Sequence, residues 1–195
     1  MSETIVREYF ELHSFLVRQH RKHIATTKRE NDEIDFFVLN PRPEKRNLPQ
    51  PFVLASSDLR FVERAIVVVK GWHTEIFSSG RVANAPDIFR FAGTKSFQQQ
   101  TVQAFGEQAA PVKILIMPAL PLEQEARDKS VAQLRAKGVD AVIPFRTLLA
   151  DLIAHTEINR NYQKSDLLQT IRILKNYEFI KEPQLDLFKN RRKAR

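Results

Sequence analysis

The segment Ala65-Ile66-Val67-Val68-Val69-Lys70-Gly71-Trp72 decides how the rest of the chain is interpreted. Its first five residues are all apolar and do not alternate with polar ones, which is typical of a central strand covered on both faces. The strand then ends in a lysine, a glycine and the only tryptophan of the chain. A buried strand that ends in this way brings a cation to one end of a sheet.

Apolar runs and helical spacing predict the elements around this strand. The expected order along the chain is helix, three strands, helix, strand, helix, strand and two helices. This order predicts an α/β fold, with a mixed central β-sheet flanked by helices. We expect an α/β domain over residues 1–158 and a helical extension with a basic tail over 159–195. The predicted strands cover 17–27, 33–39, 65–69, 112–117 and 139–145, and the predicted helices cover 4–17, 97–105, 123–137, 147–158 and 165–177, with a further helix opening at Pro86.

Composition excludes several classes of protein. The chain has 195 residues and no cysteine, so disulfide scaffolds, thiolate metal sites and cysteine nucleophiles are excluded. Its five glycines are scattered and form neither a phosphate-binding loop nor a dinucleotide fingerprint. No apolar run approaches the roughly 20 residues that a membrane-spanning helix needs. With a polar N-terminus, we expect a soluble cytoplasmic protein with no membrane partner.

Three residues that lie far apart in the sequence form the candidate site. Glu8 lies at the edge of the apolar face of the first helix, whereas Glu11 points further into solvent. Asp35 lies in the second predicted strand, and Lys70 ends the third. Neighbouring strands are about 4.8 Å apart, so a carboxylate and a lysine at adjacent strand ends are close enough to face one space the size of a metal ion. Carboxylates that hold a divalent metal, with a cation beside the reacting water, suit phosphodiester hydrolysis.

These elements resemble the PD-(D/E)XK nuclease superfamily, which has the restriction-endonuclease-like fold. The resemblance covers roughly residues 4–120 in element order, and the Val-Lys-Gly-Trp ending is similar to the strand ends of resolvase-like members. It implies a Mg²⁺-dependent endonuclease that hydrolyses DNA phosphodiester bonds. In such an enzyme, Glu8 and Asp35 would hold the metal and Lys70 would orient the attacking water.

One position departs from the family pattern. The residue two before Lys70 is acidic in the family and is Val68 in this chain. Another acid would have to replace it, and Glu75, which follows the strand, is the better candidate than Glu63, which precedes it. A catalytically inactive nuclease fold that binds DNA or joins a complex is therefore the alternative function.

Each candidate residue also has a purely structural interpretation. Lys70 could extend from a sheet edge into solvent, Asp35 could belong to a turn at the start of its strand, and Glu8 could be an ordinary helix carboxylate. We expect Trp72 to fill the core rather than to stack on a base.

The net charge of +8 favours a polyanionic partner, and DNA is the partner expected. Two groups of cations are candidate phosphate contacts. In a third hypothesis the chain binds no nucleic acid, and its 165–177 helix docks a protein partner or a second copy in a homodimer. The candidate nucleic-acid-binding residues are Arg18, Arg21 and Lys22 near the N-terminus and Lys189, Arg191, Arg192, Lys193 and Arg195 in the tail.

Overall fold

The structure is a computed structural model that describes residues 1–19, 34–85, 89 and 95–180, with the backbone alone described for 95–97. The segment opening at Pro86, where a helix was predicted, lies outside these residues apart from position 89. The strands are β1 (Leu16–Gln19), β2 (Phe36–Leu39), β3 (Arg64–Val69), β4 (Val112–Met117) and β5 (Ala141–Pro144). The helices are α1 (Ser2–Leu12), α2 (Ser79–Ala83), α3 (Lys95–Phe105), α4 (Gln124–Ala136), α5 (Phe145–His155) and α6 (Asp166–Asn176), with a 3-10 helix at Ser56–Phe61.

The described strands form one mixed sheet in the order β1-β2-β3-β4-β5. The pairs β1–β2 and β2–β3 are antiparallel, whereas β3–β4 and β4–β5 are parallel. The outer edge of β5 is covered by the segment before the 3-10 helix, since Leu54 N donates to Val142 O and Val142 N donates to Phe52 O. The predicted α/β class, with a mixed sheet flanked by helices, is confirmed.

Alternation along the strands separates the two faces of the sheet. On one face, Val68 and Leu115 pack with Leu134 of α4 in an apolar cluster. On the same face nearer β1, Phe37 packs against Phe105 of α3, with ring centroids 5.9 Å apart. This face is therefore apolar near the end of β3, where Val68 lies.

Helix α1 contacts β1 and β3. A Cβ atom built on Gly71 would lie 2.3 Å from Ser2 Oγ, so a side chain at position 71 would have to displace Ser2. Gln19 Nε2 at the end of β1 donates to Glu3 Oε2 over 2.6 Å. The start of α1 thus lies at the end of the sheet where β1 and β3 end.

The first helix is shorter than predicted. The 4–17 pattern indicated a helix through Leu16, but α1 ends at Leu12, and Leu16 lies in β1 with 62% of its surface exposed. Ser14 has a left-handed backbone (φ 63°), which turns the chain back towards the sheet. Phe15 N donates to Phe10 O, and the two rings meet edge to face, so Phe15 rather than Leu16 supplies the buried apolar contact.

The chain divides into two compact units, residues 1–151 and 152–195. The domain boundary expected after residue 158 stays a prediction. In the second unit, the buried Lys175 Nζ donates to Ile153 O over 3.1 Å and to Thr156 O over 2.8 Å, at the end of α5. Across the described ranges, every helix is too short or too polar to span a bilayer.

Candidate nucleic-acid interface at the end of the sheet

Asp35 is held in the hydrogen-bond ladder between β2 and β3. Its N–H donates to Val67 O over 3.0 Å, and its Oδ2 accepts the N–H of Val69 over 2.6 Å. The carboxylate therefore takes the place that a backbone carbonyl would have in a longer strand. The position of Asp35 is fixed beside the last residues of β3.

Lys70 directly follows the residue that Asp35 binds. Its N–H donates to Ile116 O over 2.9 Å, so the parallel ladder with β4 continues through Lys70. Strand alternation assigns Lys70 to the same face as Val68. The side chain is partly exposed, and no described residue forms a hydrogen bond or ion pair with its ammonium group. The structure thus brings Asp35 and Lys70 together at one end of the sheet.

Glu8 is a buried carboxylate on α1. It is only 8% exposed, whereas Glu11 is exposed, as the helical spacing predicted. Within the described part of the chain, the Glu8 carboxylate forms no hydrogen bond or ion pair with Asp35, Lys70 or any other residue. Its helix docks through Ser2 against Gly71, which strand alternation assigns to the face opposite Val68.

Within the described part of the chain, neither of the two proposed replacement acids pairs with Lys70. Val68 is fully buried in the apolar cluster. Glu75 Oε2 lies 3.5 Å from Arg81 Nε in the segment after β3. Glu63 pairs with Arg64 over 2.9 Å at the start of β3, the opposite end of that strand.

The described residues do not assemble a cluster of metal ligands at this end of the sheet. Among the described residues, no group of three or more carboxylate or imidazole side chains lies close enough to hold a metal. Beside Lys70 the described donor is Asp35, and one of its oxygens already accepts the Val69 N–H. We therefore derive no reaction step through a metal at this site.

Trp72 is not the core residue that the sequence indicated. It is 40% exposed because β3 ends before it, and its ring stacks on the buried Phe77 with centroids 6.0 Å apart. The guanidinium of Arg81 lies 5.1 Å from the Trp72 ring centroid. Sequence reasoning missed Arg81, since it lies nine positions after the tryptophan and no local pattern shows their contact.

Of the predicted nucleic-acid-binding residues, the described chain includes only Arg18. This residue is exposed on β1, whose end lies at the same end of the sheet as Lys70. The other seven lie outside the described residues: Arg21, Lys22, Lys189, Arg191, Arg192, Lys193 and Arg195.

Comparison of the chain with known proteins finds no matching family model, no similar curated protein and no similar solved structure. The function is therefore argued from the site alone.

Proposed function

We propose that this chain is a non-catalytic DNA-binding module whose fold is similar to that of the PD-(D/E)XK nucleases. The end of the sheet that carries Asp35 and Lys70 contacts the sugar-phosphate backbone. DNA is the partner because Lys70 is a cation that no described residue neutralises, and because the whole chain carries a net charge of +8.

The burial of Val68 is the observation that supports a binding function over hydrolysis. Its side chain is 0% exposed and packs with Leu115 and Leu134. An apolar side chain held there leaves no room for water to take the place of a missing carboxylate. With Glu75 paired to Arg81, the ammonium of Lys70 is left to contact a phosphate rather than to orient a metal-bound water.

Fluorescence anisotropy of a labelled DNA duplex, in buffer with EDTA, tests this proposal. We expect wild-type protein to bind without metal, and Lys70→Ala to weaken binding by about three- to tenfold, the effect of one lost phosphate contact. Lys137→Ala is the matched control because it removes the same charge at an exposed position after α4. Equal losses in the two variants would overturn the assignment of Lys70.

A Mg²⁺-dependent endonuclease is the second candidate. The fixed position of Asp35 beside Lys70 favours it, because these are two of the residue types that the family resemblance requires. Incubation of supercoiled plasmid with Mg²⁺ or Mn²⁺ separates the two functions. Nicking by wild-type protein that is lost in both Asp35→Asn and Lys70→Ala would establish hydrolysis and refute the non-catalytic proposal.

A further inference from the structure

A polar cavity of about 690 Å³ lies at the other end of β2, away from Asp35 and Lys70. Its lining includes His13, Asn40, Arg42, Ser56 and Arg60. Among the described residues, no carboxylate belongs to this lining, whereas a second cavity of the same volume includes both Glu107 and Asp140. Asn40 lies five positions after Asp35 along an extended chain, so the two sites are about 17 Å apart along the strand.

Asn40 fixes the two arginine-bearing segments relative to one another. The residue is 7% exposed, its Oδ1 accepts the N–H of Arg42 over 2.9 Å, and its Nδ2 donates to Arg60 O over 3.3 Å. A single buried amide thus holds both backbones at the cavity, which reduces the cost of ordering them around a ligand.

Three further contacts hold the part of the lining that includes His13 and Ser56. His13 Nε2 lies 2.7 Å from Asp151 Oδ2, and the His13 ring meets the buried Tyr9 ring edge to face. Tyr9 donates its hydroxyl proton to Ser56 Oγ over 2.9 Å. Burial raises the pKa of Tyr9, so the phenol keeps this proton. Because Ser56 accepts there, its own hydroxyl hydrogen is available to donate into the cavity.

Arg42 supplies a positive charge that favours an anionic ligand. Its side chain is exposed, and no described residue forms a hydrogen bond or ion pair with its guanidinium. The other arginine is partly compensated, since Arg60 Nε lies 3.6 Å from Glu44 Oε2. A wall that combines guanidinium and hydroxyl donors with no carboxylate suits a ligand with several anionic oxygens.

We propose that this cavity binds a terminal phosphate group, a phosphomonoester, with Arg42 and Arg60 contacting its oxygens and Ser56 donating a hydrogen bond. The volume lies within the range of small-ligand pockets and suffices for a nucleotide-sized molecule. The proposal is independent of the DNA contact at Lys70, because the two sites share no residue.

Isothermal titration of the full chain with inorganic phosphate, in EDTA at constant ionic strength, tests this site. We expect saturable binding that Arg42→Ala weakens by about tenfold or more, the effect of one lost charge-assisted contact. Lys45→Ala is the matched control, because it removes the same charge from an exposed position in the same loop without touching the cavity. Lys70→Ala should bind phosphate like the wild type, which separates this site from the DNA interface.

Two outcomes would overturn the proposal: absence of saturable phosphate binding, or equal weakening by Arg42→Ala and Lys45→Ala. Because Arg42 is exposed, its variant should fold, and Ser56→Ala provides a second variant that should weaken binding several-fold. A 5′-phosphorylated oligonucleotide and its 5′-hydroxyl counterpart then identify the source of the phosphate. Tighter binding of the phosphorylated strand that depends on Arg42 supports a nucleic-acid end, whereas Arg42-dependent binding of a nucleoside monophosphate alone supports a free nucleotide.

Discussion

Replacing Asp35 by alanine tests whether its carboxylate holds the end of the sheet. Asp35→Ala removes the acceptor of the 2.6 Å bond from Val69 N–H and leaves that donor without a partner. Hydrogen bonds to a charged group contribute about 1.5–3 kcal/mol, and Asp35 is partly exposed, which favours the lower half of that range. We expect the free energy of unfolding to fall by about 2 kcal/mol. Asp35→Asn keeps an acceptor oxygen and should lose less than about 1 kcal/mol.

Urea unfolding followed by the fluorescence of the single Trp72 measures this loss. With a slope of about 2 kcal/mol per molar urea, the midpoint of the alanine variant should fall by roughly 1 M without a change in slope. Asp128→Ala serves as a control, because it removes an exposed carboxylate of α4 that accepts only a side-chain hydrogen bond from Gln124. If Asp35→Ala shifts the midpoint no more than this control does, the carboxylate does not stabilise the sheet and the structural role given to Asp35 is wrong.

Three further perturbations each test one contact, two in the first unit and one in the second. Gly71→Ala should destabilise the fold by about 1–3 kcal/mol, because the new Cβ would meet Ser2. Adding Ser2→Gly to this variant should restore most of the lost stability. A double variant as unstable as Gly71→Ala alone would contradict the close approach of Gly71 to Ser2. Because burial raises the pKa of Tyr9 from its usual 10.0, the folded chain holds this proton more tightly than the unfolded chain does. The protonated Tyr9 should therefore contribute its full stabilisation below about pH 10, and above that pH the free energy of unfolding should fall by about 1.4 kcal/mol per pH unit. Equal slopes of the free energy of unfolding against pH in wild type and Tyr9→Phe would contradict this. Lys175→Met should lower the stability of the second unit by about 1–3 kcal/mol, because it removes the ammonium that donates to Ile153 O and Thr156 O. The exposed Lys164→Met should not lower it, and thermal unfolding compares the two variants.

The strands of the sheet core could be predicted because burial on both faces demands an unbroken apolar run. The runs at 65–69 and 112–117 correspond to β3 and β4 within one residue. The end of α1 could not be predicted in the same way. Leu16 continues the helical spacing, but the left-handed Ser14 ends the helix, and nothing in the hydrophobic pattern marks that turn.

Only part of the candidate site was accessible to sequence reasoning. The sequence placed Asp35 and Lys70 at or near strand ends, and the pairing of β2 with β3 places both at the same end of the sheet. The pairing of Glu75 with Arg81 depends on how the segment after β3 folds back, and periodicity does not report this. The contact between His13 and Asp151 joins positions 138 residues apart, so no local pattern could have shown it.

The salt dependence of DNA binding is the measurement on which the proposed function depends. Wild-type protein and Lys70→Ala are titrated with one duplex in EDTA over a series of salt concentrations, and the logarithm of the affinity is plotted against the logarithm of the salt concentration. If Lys70 contacts a phosphate, the slope for the variant should be shallower by about one unit, the value expected for one neutralised phosphate. Identical slopes, or wild-type binding that does not change with salt, would contradict a DNA interface at this end of the sheet.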